Sequence, residues 1–237
     1  MKQKFVIMTN PRTGSEYLAK LLDNHTQVTC LGEVFSIGPD GEAWNQSEYK
    51  QQGDMFGYLE YEFSKSDKPI CGYKQISNWL ENAGYPQLEA FIQAHHERQY
   101  RFIFLSRENL LKEYVSFMLM MQKGYGHISE EQKQKLSIHL DPRVAYMYMR
   151  KWIGFNKRCK EILSEKQIPY LDLLYERDFA KDKKVKEKVF DFFSLPYEEI
   201  VDPLKQTNPY KLEELIDNYD EVCKYLKDKG WEEHIKK

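Results

Sequence analysis

The chain has 237 residues, 41% of them hydrophobic and 30% charged, and a formal net charge of −2 at pH 7. This length and balance fit one globular domain and exclude a disordered chain. The near-neutral charge argues against nucleic-acid binding, which calls for a basic surface, while leaving room for a locally positive cleft that takes a small anion.

In chain order, residues 5–8 (FVIM) predict a first strand. Four consecutive apolar residues are too few for a signal-peptide core or a membrane span, so the expectation is a cytoplasmic protein with no membrane span. The four cysteines, Cys30, Cys71, Cys159 and Cys223, are far apart and form no CxxC pair. They read as reduced thiols, with no metal expected.

The turn Pro11-Arg12-Thr13-Gly14-Ser15 leads into a helix whose buried stripe is Leu18, Leu21 and Leu22. A strand, a glycine turn and a helix make a phosphate cradle. Gly14 permits close backbone approach, and the N–H groups of Ser15, Glu16 and Tyr17 face an anion with the helix dipole behind them. The layout is that of a P-loop but the residues are not. In GxxxxGK[ST] a glycine stands where this chain has Thr9, and a lysine where it has Ser15; Arg12 supplies the positive charge.

Val28–Cys30 is the second predicted strand, and Glu33 follows it in TCLGEVF. Glu33 is either a carboxylate at the same sheet edge as the first loop or a cap beside Val34 and Phe35. Residues 36–68 break the strand–helix rhythm and predict a substrate-side insertion. Within it Phe56, Tyr58, Tyr61 and Phe63 read as the buried stripe of a helix rather than as a sugar-stacking surface, with Trp44 the more exposed aromatic. Ile70–Ile76 is a third strand and carries Lys74; Arg101–Ser106 is an apolar fourth strand and Ile168–Leu174 a fifth. Helical periodicity covers 109–123, 142–166, 182–193 and 211–228, the last through Leu212, Leu215, Ile216, Tyr219, Val222 and Leu226. Strands alternating with helices imply an α/β fold of three layers, P-loop NTPase-like, with a central mostly parallel sheet of about five strands flanked by helices, in a single domain over 1–237.

The fourth strand ends in SRENLLKEYVS (106–116), placing Arg107 at a strand's C-terminal end, where ligands of open α/β sheets bind, and Ser116 in the following helix. A strand-PRTGS-helix followed by strand-SRxNxxxxxxS resembles the sulfotransferases that use 3′-phosphoadenosine 5′-phosphosulfate (PAPS). The nine-residue step from Arg107 to Ser116 is most similar to the bacterial enzymes related to trehalose 2-sulfotransferase. The opening segment MTNPRTGSEYLAKLLDNHTQVTCLGEVF also looks like that of protein-tyrosine sulfotransferases. LDLLYERDF (171–179) resembles the family's L-x-YE-x-L element, and KQTNPYKLEELIDNYDEV (205–222) its C-terminal helix region.

The resemblance implies that Arg12, Thr13, Gly14, Ser15, Glu16 and Tyr17 hold the 5′-phosphosulfate, and that Arg107 and Ser116, with Lys205 a weaker candidate, hold the 3′-phosphate. It implies Glu33 as general base and Arg12 as a stabiliser of transition-state charge. Lys74 is either a cation near the transferred sulfonate or an exposed strand lysine. Glu16 departs from the family pattern, and the expectation is that it turns away from the ligand. His25 and His127 are the alternatives for a histidine base; His25, in a turn, reads as a capping residue, and His95-His96 lacks metal-ligand spacing. The implied reaction is sulfuryl transfer from PAPS to an acceptor hydroxyl on a carbohydrate or glycolipid. The alternatives are a P-loop-type small-molecule kinase, against which the Ser-Arg end of RFIFLS counts because a Walker-B Asp belongs there, and a non-catalytic adenine-nucleotide-binding module.

Overall fold

The computed structural model describes residues 2–36, 52–81, 83–122, 136–179, 184–201 and 210–235. Two compact units emerge, one built from 1–106 and 158–204 and the other from 107–157 and 205–237.

The first unit carries a five-stranded sheet in the order β2-β3-β1-β4-β5. The strands are β1 (Gln3–Thr9), β2 (Val28–Glu33), β3 (Ile70–Ile76), β4 (Tyr100–Ser106) and β5 (Tyr170–Leu174). Every ladder is parallel. Parallel strands covered on both faces become continuous apolar runs, which is why FVIM and RFIFL could be read as strands. On one face, Phe5 and Ile7 of β1, Ile70 of β3 and Ile103 and Leu105 of β4 pack with Leu18, Leu21 and Leu22 of α1 (Ser15–Asp23) and with Val189 and Phe190 of α6 (Val185–Phe193). Gly72 belongs to this face because Phe5 lies across it: a Cβ at Gly72 would come within 2.4 Å of the Phe5 ring.

The other face carries α2 (Met55–Ser64) and α3 (Leu88–Glu97). Three of the four aromatics expected to be core are core: Phe56, Tyr58 and Phe63 of α2 are buried, but Tyr61 is exposed, contrary to the expectation. Helix α3 was not legible in the sequence. Its organising residue is His95, fully buried among Phe91, Tyr100 and Phe56 with ring centroids 4.1, 4.9 and 5.0 Å away. Its Nδ1–H donates to the Phe91 carbonyl at 2.7 Å, and its Nε2 accepts from the Tyr73 hydroxyl at 2.7 Å. That fixes a neutral ring, and burial pulls its pKa down to about 3.

The unfolded chain takes up a proton on this histidine near pH 6.5, whereas the folded chain does not until about pH 3. A depressed histidine therefore contributes stability that is lost as the pH falls through this window. Stability is expected to drop by about 1.4 kcal/mol per pH unit below roughly pH 6.5, or about 2 kcal/mol by pH 5. Urea unfolding at pH 7 and pH 5 measures it, and His95→Gln is expected to flatten the slope; an equally steep slope in the variant would refute this account. Burial works to raise the Asp178 carboxyl, but bonds from Arg177, Lys188 and the Leu174 N–H outweigh it and hold it at about 2, so its contribution is lost only below about pH 4.

The second unit contains α4 (Leu110–Gln122), most of α5 (Pro142–Glu165), α7 (Leu212–Leu215) and α8 (Tyr219–Asp228) around Trp152, Met149, Leu111 and Val222. The continuous helix expected over 211–228 is two helices. Ile138 N–H donates to the Leu215 carbonyl and Asp217 N–H to the Ile138 carbonyl, each at 2.9 Å, so Ile216 is extended and forms a one-residue parallel bridge. The Asn218 amide then accepts from Leu140 N–H (3.0 Å) and donates to the Leu140 carbonyl (2.8 Å). Apolar spacing alone could not reveal the break, because Ile216 is buried in either arrangement. Among the described residues no helix is long and apolar enough to cross a membrane, and all four cysteines are free and buried.

Candidate active site

The first loop is braced from below by buried polar residues. Thr9, Asn10 and Thr13 are fully buried. The Thr9 and Thr13 hydroxyls meet each other and each donates to the Asn10 carbonyl at 3.1 Å, while Ser77 donates to Asn10 Oδ1 at 3.3 Å. Thr9, the residue in place of the first P-loop glycine, is thus part of the loop's framework. Arg12 takes a left-handed backbone conformation (φ 62°), which costs a non-glycine residue on the order of 1 kcal/mol. Gly14 follows with φ 88° as the residue preceding α1, and no side chain caps that helix. A Cβ on Gly14 would lie 2.8 Å from the Tyr175 ring, so close approach demands glycine as much as φ does. Tyr175 stacks on Phe179 (5.6 Å), which meets Tyr17 edge-on (5.8 Å). Both aromatics follow β5 in YERDF, a segment pinned by the buried Asp178. The loop therefore presents an uncapped helix start, held rigidly, which is what an anion requires.

Two strands to the side, a β-bulge arranges the charges. Cys30 pairs with Gly72, and Glu33 with Lys74, so three steps along β2 match two along β3. Side chains alternate faces along a strand, and without the extra residue Glu33 would point to the opposite face from Lys74. Gly32 absorbs the irregularity at φ 70°. This corrects the sequence reading in one respect: β2 extends through Glu33 rather than ending at Cys30.

Lys74 is the hub of the cluster. Its side chain is 2% exposed, which overturns the exposed-lysine alternative. Its Nζ lies 2.7 Å from Glu33 Oε1 and 2.7 Å from Glu16 Oε2, and Glu16 Oε1 lies 3.5 Å from Lys20. Burial alone would depress the Lys74 ammonium, but Glu33 and Glu16 more than offset it and hold its pKa above the ordinary value. Partial burial likewise works to raise the Glu16 carboxyl, and Lys74 and Lys20 outweigh it and hold it low. Glu33 is about one-third exposed and retains a solvent-facing side. The cluster can therefore keep one buried cation charged and hold one accessible carboxylate beside the first loop.

No family model matches the sequence, and none of the curated proteins compared matches it. Solved structures do match. A sulfotransferase from Alicyclobacillus acidocaldarius superposes with a TM-score of 0.55 at 15% identity, covering 99% of this chain and 96% of that one. A sulfotransferase from Mycobacterium avium gives a TM-score of 0.51 at 13% identity over 96% of this chain and 76% of that one. The chain has the sulfotransferase fold.

Within this fold the structure brings together Arg12, Thr13, Gly14, Ser15, Glu16 and Tyr17 at the C-terminal end of β1, and Glu33 with Lys74 at the ends of β2 and β3. Arg107 directly follows β4, and Ser116 lies in α4; both are half-buried and belong to the second unit. Lys205, His127 and Trp44 lie outside the described residues. His25 is fully buried and caps no helix: its Nδ1 accepts from Gln27 N–H (3.1 Å) and its Nε2 bonds the Pro196 carbonyl (3.2 Å), a structural role. Sequence reasoning missed the pairing of Glu16 with Lys74, since 58 residues separate them and only the alignment of β1, β2 and β3 brings them together. It also missed Tyr175 as the wall behind Gly14, although YERDF had been singled out for its resemblance.

Proposed function

We propose that this chain is a sulfotransferase that moves a sulfuryl group from PAPS to an acceptor hydroxyl, on a carbohydrate or glycolipid. The observation that carries the reading is the bulge that sets Glu33 against the buried Lys74 beside an uncapped anion loop. The fold shared with sulfotransferases supports it. The donor fits the loop on a feature of this chain: α1 begins just after Gly14, which offers no side-chain cap and is held in place against the Tyr175 ring.

In this reading Glu33 accepts the proton of the attacking hydroxyl, its accessible side turned to the acceptor. Lys74, Arg12 and the N–H groups of Gly14 and Ser15 stabilise the negative charge that develops as the sulfur–oxygen bond to the donor breaks. Glu16 through Tyr17 continue the anion-binding turn. Arg107 and Ser116, with Lys205, take the 3′-phosphate, an assignment that rests on the SRENLLKEYVS resemblance.

The test is transfer from PAPS to a panel of carbohydrate, glycolipid, phenol and tyrosine hydroxyls, with release of 3′-phosphoadenosine 5′-phosphate (PAP) as the readout. Transfer is expected to persist in EDTA; strictly Mg²⁺-dependent phosphoryl transfer from ATP instead would establish the kinase alternative. Arg107→Ala is expected to weaken PAP binding by about 10–100-fold, the worth of one or two charge-assisted bonds, and AMP binding by less than about threefold. Calorimetric titration of both nucleotides decides it, and equal losses would refute the 3′-phosphate role.

A further inference from the structure

Glu16 is the one acidic residue in the first turn of α1, and it faces two lysines with its two oxygens. Oε2 lies 2.7 Å from Lys74 and Oε1 3.5 Å from Lys20. The two lysines differ in freedom. Lys74 is 2% exposed and cannot leave, whereas Lys20 is 42% exposed and sits one turn along the same helix. Glu16 itself is 44% exposed, so its carboxylate can rotate outward without breaking the core. A carboxylate in the first turn also occupies part of the helix-terminal field that an anion at the loop would use.

We infer that Glu16 is a displaceable counterion: it neutralises the buried Lys74 ammonium when the loop holds no anion, and passes to Lys20 when an anionic donor takes its place. The physical need is plain. A lysine buried on a strand must keep a partner, because an uncompensated buried charge is costly. Glu33 alone would meet that need by binding Lys74 the more tightly. A second, solvent-facing carboxylate shares Lys74 and can be given up while Glu33 keeps the buried ammonium paired. The exchange makes donor binding compete with an internal ion pair, and the return of Glu16 to Lys74 favours release of the spent nucleotide. Glu16 is thus a positioning residue that acts through Lys74, which accounts for its departure from the family pattern.

The experiment is a double-mutant cycle on PAP affinity, with Glu16→Gln, Lys20→Ala and the double variant, each checked for an unchanged melting transition. Glu16→Gln is expected to bind PAP roughly tenfold more tightly, because only Glu33 then pairs with Lys74 and the displaceable carboxylate is gone. Lys20→Ala is expected to bind about threefold more weakly, and to have no effect in the Glu16→Gln background, since the displaced carboxylate is then absent. Unchanged affinity in Glu16→Gln, or the same Lys20→Ala loss in both backgrounds, would overturn the inference. It rests on the donor reading above, and the wild type separates the two failures. A folded wild type that binds no PAP overturns that reading and this inference together. A wild type that binds PAP while Glu16→Gln binds it no better overturns only the role of Glu16.

Discussion

Glu33→Gln is expected to lower the turnover rate by about 10²–10⁴-fold, the usual worth of a general base, while leaving PAP affinity within about twofold. The substitution keeps the shape of the side chain and its place at the end of β2, where the bulge sets it opposite Lys74. What it removes is the proton-accepting charge. Because Glu33 is about one-third exposed, the amide can be hydrated and the fold is not at stake. Steady-state rates and calorimetry on the same preparation separate the two effects. A near-normal rate would remove Glu33 as the base; lost nucleotide affinity with a normal rate at saturation would make it a binding residue instead.

Lys74→Met is expected to cost about 10²–10³-fold in rate, comparable to the loss of one donor that stabilises developing charge. Its effect on stability is expected to be small, within about 1 kcal/mol. The argument turns on exposure. Removing one member of a buried ion pair is severe when the other is left buried, but here both partners, Glu16 and Glu33, are 44% and 36% exposed and can turn to water. The residue that is buried is the lysine, and methionine of similar length removes the cost of burying its charge. Thermal unfolding alongside the rate assay checks both halves. An unfolded variant would show that Lys74 is chiefly a structural cation; a folded variant with normal activity would show that it takes no part in transfer.

Both expectations draw on features that differ in how far they could be seen beforehand. The strand–PRTGS–helix unit was legible because its pieces are adjacent in the chain: an apolar run, a turn with glycine where φ must be positive, and a leucine stripe at helical spacing. Lys74 could be placed on a strand, yet its burial could not, because a lysine within ICGYKQI has the same local pattern whether its end meets solvent or two carboxylates. Helix α3 escaped notice because its apolar face is short and its central buried residue is a histidine, whose role depends on the distant Tyr73 and Tyr100.

The amino-acid sequence by itself determined the α/β alternation, the five strands, the glycine loop at the end of the first strand and the pattern Arg107 shares with Ser116, since each is written in local periodicity, turn chemistry or short spacing. Only the tertiary structure decided which charges meet. The order β2-β3-β1-β4-β5 places β3 between β1 and β2, and one extra residue at Gly32 turns Glu33 onto the face of Lys74 and Glu16. Strand order and register are set by the summed packing of the whole sheet, and a shift of one residue would have sent Glu33 to the other side.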